Sequence, residues 1–169
     1  MNMEKKLKEP LHILIDGADK LGKTTVIELL SRKLDLPVIK MPNAAEWIKD
    51  GSIEKVSEFY NETLIQFKDF DFIMDRGFPS SIVYSKVFER QANLDYITRI
   101  QQILSPKIFI FVGSHRKIED DIEKHNLEWK RINKEFYEFA EQRSFSSVKL
   151  IDTDYSSPIQ LCNQIIENL

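Results

Sequence analysis

Five short runs rich in Ile, Val and Phe alternate with segments of helical periodicity, which predicts an α/β protein with a three-layer, doubly wound, five-stranded parallel sheet and helices on both faces. Two observations favour the parallel form. The runs are almost continuously apolar, as in Ile108-Phe109-Ile110-Phe111-Val112, and such strands suit a sheet covered on both sides. Helix-patterned chain separates consecutive runs, which supplies right-handed crossovers.

The elements follow in order. The first strand is Leu11–Asp16, too short for a buried helix, and a helix over 23–34 comes after it. The second strand is Pro37–Lys40, and a helix over 53–68 leads to the third, Asp71–Asp75. Helices over 79–89 and 93–104 precede the fourth strand, Lys107–Gly113. Helices over 115–124 and 127–142 precede the fifth, Val148–Asp152, and a last helix spans 157–168. The Trp and Phe stripe of 127–142 reads as core packing.

Bulk properties narrow the function. At 169 residues the chain is one domain, able to bury a core but too short for a second. Residues 1–10 are polar and Lys-rich and are expected to fray. A formal charge of −3 provides no field for holding long nucleic acid, whereas a small anion needs only a local positive pocket. The single cysteine, Cys162, excludes an internal disulfide and lies in an apolar helix pattern where a buried thiol is expected. With no cleavable leader pattern and no apolar run of about 18 residues, a soluble cytoplasmic protein is expected.

In doubly wound sheets, ligands bind at the carboxyl ends of the strands. After the first strand comes Gly17-Ala18-Asp19-Lys20-Leu21-Gly22-Lys23-Thr24-Thr25, a complete G-x-x-x-x-G-K-[ST] loop between strand and helix. Its backbone N–H groups and the helix N-terminus are suited to triphosphate oxygens. Gly17 and Gly22 permit the tight turn, Lys23 neutralises β/γ oxygens, and the Thr24 hydroxyl is a magnesium ligand. After the third strand comes Asp75-Arg76. Asp75 is the second candidate for organising magnesium, and Arg76 can clamp a phosphoryl group bidentately.

With Ser80 and Tyr84 following Asp75-Arg76, the chain resembles the thymidylate kinase and deoxynucleoside kinase branch of the P-loop kinases, and thymidylate kinase most of all. The order of elements matches from about Leu11 to Leu169. The resemblance implies the P-loop nucleotide kinase fold, ATP and Mg²⁺, and a small-molecule nucleotide as partner. It also implies roles for Asp19 and Lys20 in the loop, with Lys20 a phosphate-stabilising charge, and a homodimer formed through helices, for which the apolar faces at 53–67 and 82–104 are candidates. A lid is expected over about 114–127, with Arg116 as its cation, although a solvated helix face is an equal reading of that residue.

The two kinase families differ at the second strand end. A nucleoside kinase needs a carboxylate there to deprotonate a hydroxyl, whereas a monophosphate kinase needs cations. This chain has Lys40-Met41-Pro42, which favours a phosphorylated acceptor held by Lys40 and Pro42; Glu46-Trp47 is a nucleoside-kinase feature that keeps the other reading open. In the helix before the third strand, Phe59 or Tyr60 is a candidate to stack on the base and Asn61 to hydrogen-bond it. The Arg residues that thymidylate kinases carry in that helix and after the second-strand Pro are absent, so a related pyrimidine deoxynucleotide fits as well as thymidylate. Two other readings are weaker. A kinase acting on a nucleotide within DNA needs a basic groove, and a GTPase-like switch needs an Asn-Lys-x-Asp motif, which is missing.

Overall fold

The computed structural model describes residues 9–42, 53–90, 93–114, 123–142 and 147–169. Strands form at all five expected places: β1 (His12–Gly17), β2 (Val38–Lys40), β3 (Phe72–Asp75), β4 (Lys107–Val112) and β5 (Val148–Asp152). They make one parallel sheet in the order β2-β3-β1-β4-β5. Among the described residues there are six helices: α1 (Lys23–Leu34), α2 (Ile53–Gln66), α3 (Phe78–Val87), α4 (Leu94–Leu104), α5 (Glu123–Glu141) and α6 (Pro158–Ile166). Helix α1 packs on α6, α3 on α5 and α2 on α4, completing a doubly wound α/β fold.

Strand bounds differ from expectation by about one residue, and each shift has a local cause. β1 runs on to Gly17 because Gly17 still pairs in register with Phe111 of β4. β2 starts after Pro37, whose carbonyl accepts the Ile73 N–H at 2.9 Å although proline itself has no N–H to give. Two helices depart further. α5 begins at Glu123, ahead of the expected 127, and absorbs the end of the helix expected over 115–124, whose remaining residues lie outside the described ones. α2 stops at Gln66, two residues short of the expected end.

Burial explains the order of the sheet. Every residue of β1 is buried, as are all of β3 and all but the first of β4. The polar edges fall to β2, where Val38 and Lys40 are exposed, and to β5. Val26, Ile27 and Leu30 of α1 and Leu161, Cys162 and Ile165 of α6 close one part of the core, so the expected buried thiol is buried. His12 fastens the amino end of β1. Its Nδ1 lies 2.6 Å from the Leu104 carbonyl oxygen and its Nε2 3.1 Å from that of Phe70. No helix among the described residues is long and apolar enough to cross a membrane.

At the carboxyl end, parallel registry gathers the predicted residues into one row. Lys40 of β2 is level with Asp75 of β3, and Asp75 is level with Ile15 of β1. The loop after β1 therefore emerges beside the Asp75-Arg76 turn, with β4 on its other side.

Candidate active site

The loop is shaped by two glycines. Gly17 has φ of 136°, and a Cβ there would collide with the Phe111 carbonyl oxygen, so no other residue fits. Gly22 has φ of 80° and precedes α1 without any side-chain cap. Most helices begin at a Ser, Thr, Asp or Asn that occupies their first N–H donors. In α1 that cap is missing and no acidic residue stands in the first turn, so the positive helix end is left to an external anion. Ala18 and Leu21, both 0% exposed, root the loop in the core, while Asp19, Lys20, Thr24 and Thr25 face outward.

Lys23 is buried, and its Nζ donates to the Ala18 carbonyl. Burial pulls its pKa down to about 7; the nearby Arg76 charge acts in the same direction, against Asp16, Asp19 and Asp75.

The organising residue is one that the sequence reading left as the end of a strand. Asp16 is completely buried, and every neighbour of its carboxylate is a donor. Oδ1 accepts from the Gly17 N–H at 2.8 Å and the Ser80 hydroxyl at 2.7 Å, and Arg76 Nη1 stands 3.5 Å away. Oδ2 accepts the N–H groups of Gly77 at 3.2 Å and Ser80 at 2.9 Å. Asp16 thus caps the first turn of α3 from another strand. Burial pushes its pKa up, opposed by Arg76, Ser80 and the Gly17 N–H. A carboxylate directly following the apolar run Ile13-Leu14-Ile15 was the available signal, since such a charge is buried only when paired.

Arg76 is held from all sides. Nη1 also donates to the Gly17 carbonyl at 3.2 Å and to Ser80 Oγ at 3.1 Å, Nη2 pairs with the Asp19 carboxylate, and Cζ lies 6.0 Å from the centre of the Tyr84 ring. Its backbone has φ of 68°, a left-handed conformation that is costly for a residue with a Cβ. Two bonds impose it: the Arg76 N–H donates to Ile15 at 2.9 Å, and its carbonyl accepts from the Tyr60 hydroxyl at 3.0 Å. The guanidinium is drawn down by burial, but Asp16, Tyr84, Asp19 and Asp75 together raise it above its ordinary value, so it stays charged. Burial lifts the Tyr84 hydroxyl to about 12, which keeps it neutral.

Tyr60 departs from its expected place. It is 3% exposed, with its hydroxyl between the carbonyls of Arg76 and Ile39, so its ring faces the core and offers no open surface for stacking on a base. Asn61 is also buried, and Phe59, 59% exposed, is the outward aromatic of this helix. Lys40 is exposed and Pro42 half-buried at the end of β2, where the Met41 N–H donates to the Asp75 carbonyl at 3.0 Å. Arg116, the expected lid cation, lies outside the described residues, as do Glu46 and Trp47.

Asp75 is the candidate metal ligand at the end of β3. Its side chain is buried and accepts no hydrogen bond from the described residues, and Lys23 is close enough to feel its charge. A buried carboxylate of this kind suits a cation or a water. The Asp75 carboxylate and the outward Thr24 hydroxyl are oxygen donors, the type that could hold a hard ion such as Mg²⁺. Among the described residues no group of three His, Cys, Asp or Glu side chains forms a self-sufficient metal cage.

Two more residues escaped the sequence reading. The Trp129 indole N–H donates to the Asp19 carbonyl at 2.6 Å, and Asn133 brackets Gly113 at the exit of β4, donating to its carbonyl at 2.8 Å. Both partners are distant in sequence, and no local pattern announces such bonds.

No protein-family model and no curated protein matches the chain by sequence. Solved structures do match in three dimensions. The YorR protein of Bacillus subtilis, in complex with phosphorylated GDP, is 22% identical with a TM-score of 0.70, covering 92% of this chain and 94% of that one. Thymidylate kinase from Candida albicans is 18% identical with a TM-score of 0.64, covering 94% and 90%. Deoxyadenosine kinase from M. mycoides, with bound dATP, is 19% identical with a TM-score of 0.59, covering 93% and 98%. Shikimate kinases share the architecture too, so the likeness is one of fold. The chain has the fold of the P-loop kinases.

Proposed function

We propose that the chain is an ATP- and Mg²⁺-dependent nucleotide kinase that phosphorylates a deoxynucleoside monophosphate, thymidylate or a related pyrimidine. The observation that carries this reading is Arg76: a charged guanidinium on a left-handed backbone, anchored through Nη1 beside the phosphate loop, with Nη2 on the exposed carboxylate of Asp19. An anchored cation that pairs through Nη2 with an exposed carboxylate is arranged to exchange that partner for a phosphate.

In this reading the loop N–H groups and Lys23 hold the β/γ phosphates of ATP. Thr24 and Asp75 hold Mg²⁺, which when bound neutralises charge on the transferring phosphoryl group. The acceptor lies between Lys40, Pro42, Phe59 and Arg76, lined by Ser80 and Tyr84. Its phosphate oxygen is already ionised at neutral pH, so no general base is needed, in keeping with Lys40-Met41 at the end of β2. Lys20, Lys23 and Arg76 share the charge of an in-line transfer, with Arg116 as the lid cation. The structural likeness to thymidylate and deoxyadenosine kinases supports an acceptor that is a nucleotide or a nucleoside. The reaction is assigned to the cytoplasm, with small nucleotides as partners and a homodimer as the working assembly.

Coupled ADP release, measured against a panel of nucleosides and their monophosphates, tests the proposal. Turnover on a pyrimidine deoxynucleoside monophosphate is expected. Turnover on nucleosides alone would transfer the assignment to the deoxynucleoside kinases.

A further inference from the structure

Helix α5 packs against β4 and α3, and it also makes a direct bond to the phosphate loop. The Trp129 indole N–H reaches the Asp19 carbonyl at 2.6 Å. Trp129 is 3% exposed and is locked in the core with Ile132, Phe136 and Phe139 of the same helix, so the donor comes from a rigid support. One turn further on, at the i+4 position on the same face, Asn133 holds both backbone groups of Gly113, its Oδ1 3.4 Å from the N–H and its Nδ2 2.8 Å from the carbonyl. Gly113 in turn abuts the loop: a Cβ on it would come within 3.1 Å of Leu21 Cδ2. The helix therefore holds the loop both directly and through the exit of β4.

A carbonyl oxygen is half of a rigid unit. The Asp19 carbonyl and the Lys20 N–H belong to one planar trans peptide and point in opposite directions. Holding the oxygen toward α5 turns the Lys20 N–H away from α5. It also maintains the left-handed φ of 65° at Lys20, a conformation that costs about 1–2 kcal/mol at a residue with a Cβ and needs a compensating contact.

We propose that Trp129 is a positioning residue of the nucleotide site: its indole N–H sets the Asp19–Lys20 peptide plane and so aims the Lys20 N–H at the phosphates of a bound nucleoside triphosphate. The inference rests on the proposed kinase function, because it needs a triphosphate in the loop. A buried indole N–H takes an acceptor in any role, so the distinction lies in the ligand: the ring of a tryptophan present only for packing could be replaced by another without effect on nucleotide binding.

Trp129→Phe removes the donor and keeps an aromatic ring. Titration calorimetry of wild type and variant with Mg·ATP, and separately with the acceptor monophosphate, is read beside the thermal midpoint. The expected result is a loss of ATP affinity of about five-fold, the scale of one hydrogen bond, with acceptor affinity unchanged. Equal ATP affinity in the two proteins overturns the inference while leaving the kinase reading intact. A parallel loss for both ligands with a lower midpoint also overturns it, since packing alone would then account for Trp129. If wild type binds no triphosphate, the kinase reading fails first and this inference with it. Should the variant not fold, amide hydrogen exchange on wild type decides the matter: the Lys20 N–H must gain protection when ATP is added, and an unprotected Lys20 refutes the assignment.

Discussion

Single side chains at this site combine stability costs with chemical use. Lys23 and Arg76 are the clearest cases, and replacing either by Ala should lower turnover by about 10²–10³-fold with the fold retained, as steady-state kinetics and circular dichroism would show. Lys23 also makes a prediction about pH. Its folded-state pKa is about 7 against an ordinary 10.5, so between those values the unfolded chain binds the extra proton and stability rises with pH. Lys23→Met should therefore stabilise the protein at pH 7 by about 1–3 kcal/mol, a gain that shrinks toward pH 10. Urea melts of both proteins at pH 6, 7 and 9.5 check the sign; a gain that grows with pH would contradict it. The places of Gly17, Gly22, Lys23 and Arg76 around the loop were legible in the sequence, because these residues sit in fixed local spacings. Asp16 was not, since its donors Gly77 and Ser80 lie about 60 residues away and only the fold brings them together.

At the scale of elements, Asp16 acts as a cap shared between β1 and α3. All its neighbours donate, so Asp16→Asn must turn an amide NH₂ toward other donors. The expected cost is about 3 kcal/mol, together with a fall in turnover as Arg76 loses its anchor. Ser80→Ala should be milder, since the Ser80 N–H still reaches Asp16 while the hydroxyl between Asp16 and Arg76 is lost. A Ser80→Ala protein as unstable as Asp16→Asn would show that the cap is not where the stability resides. Strand and helix positions were readable from apolar runs and from Gly, Pro and Ser punctuation, as at Ser157, which caps α6 with Gln160 in a reciprocal pair. The early start of α5 was not, because residues 123–126 are polar and carry no apolar period. Tyr60 shows the same limit: an aromatic on a helix near a ligand site reads as a stacking group until the sheet shows that its hydroxyl supports the strained Arg76 turn.

At the scale of the whole molecule, the buried hydrophobic residues among those described form one core, and Cys162 reports on it. The thiol is 0% exposed, and burial raises its pKa, so the native protein should react with a thiol reagent far more slowly than the urea-unfolded chain, and more slowly still with Mg·ATP bound. Labelling at equal rates in native and unfolded protein would refute a single cooperative unit. The order of the sheet could not be read from sequence, since strand neighbours are chosen by burial across long separations. That same order governs biosynthesis. The phosphate loop precedes both sheet neighbours of β1 in the chain, its first glycine is seated against Phe111, and β1 finds its partners only when β3 and then β4 have been made. If the proposed function holds, nucleotide cannot assist folding before β4 is made: a nascent chain that ends before residue 111 lacks one wall of the proposed nucleotide site, and nucleotide-dependent protection from protease should begin only in chains longer than that.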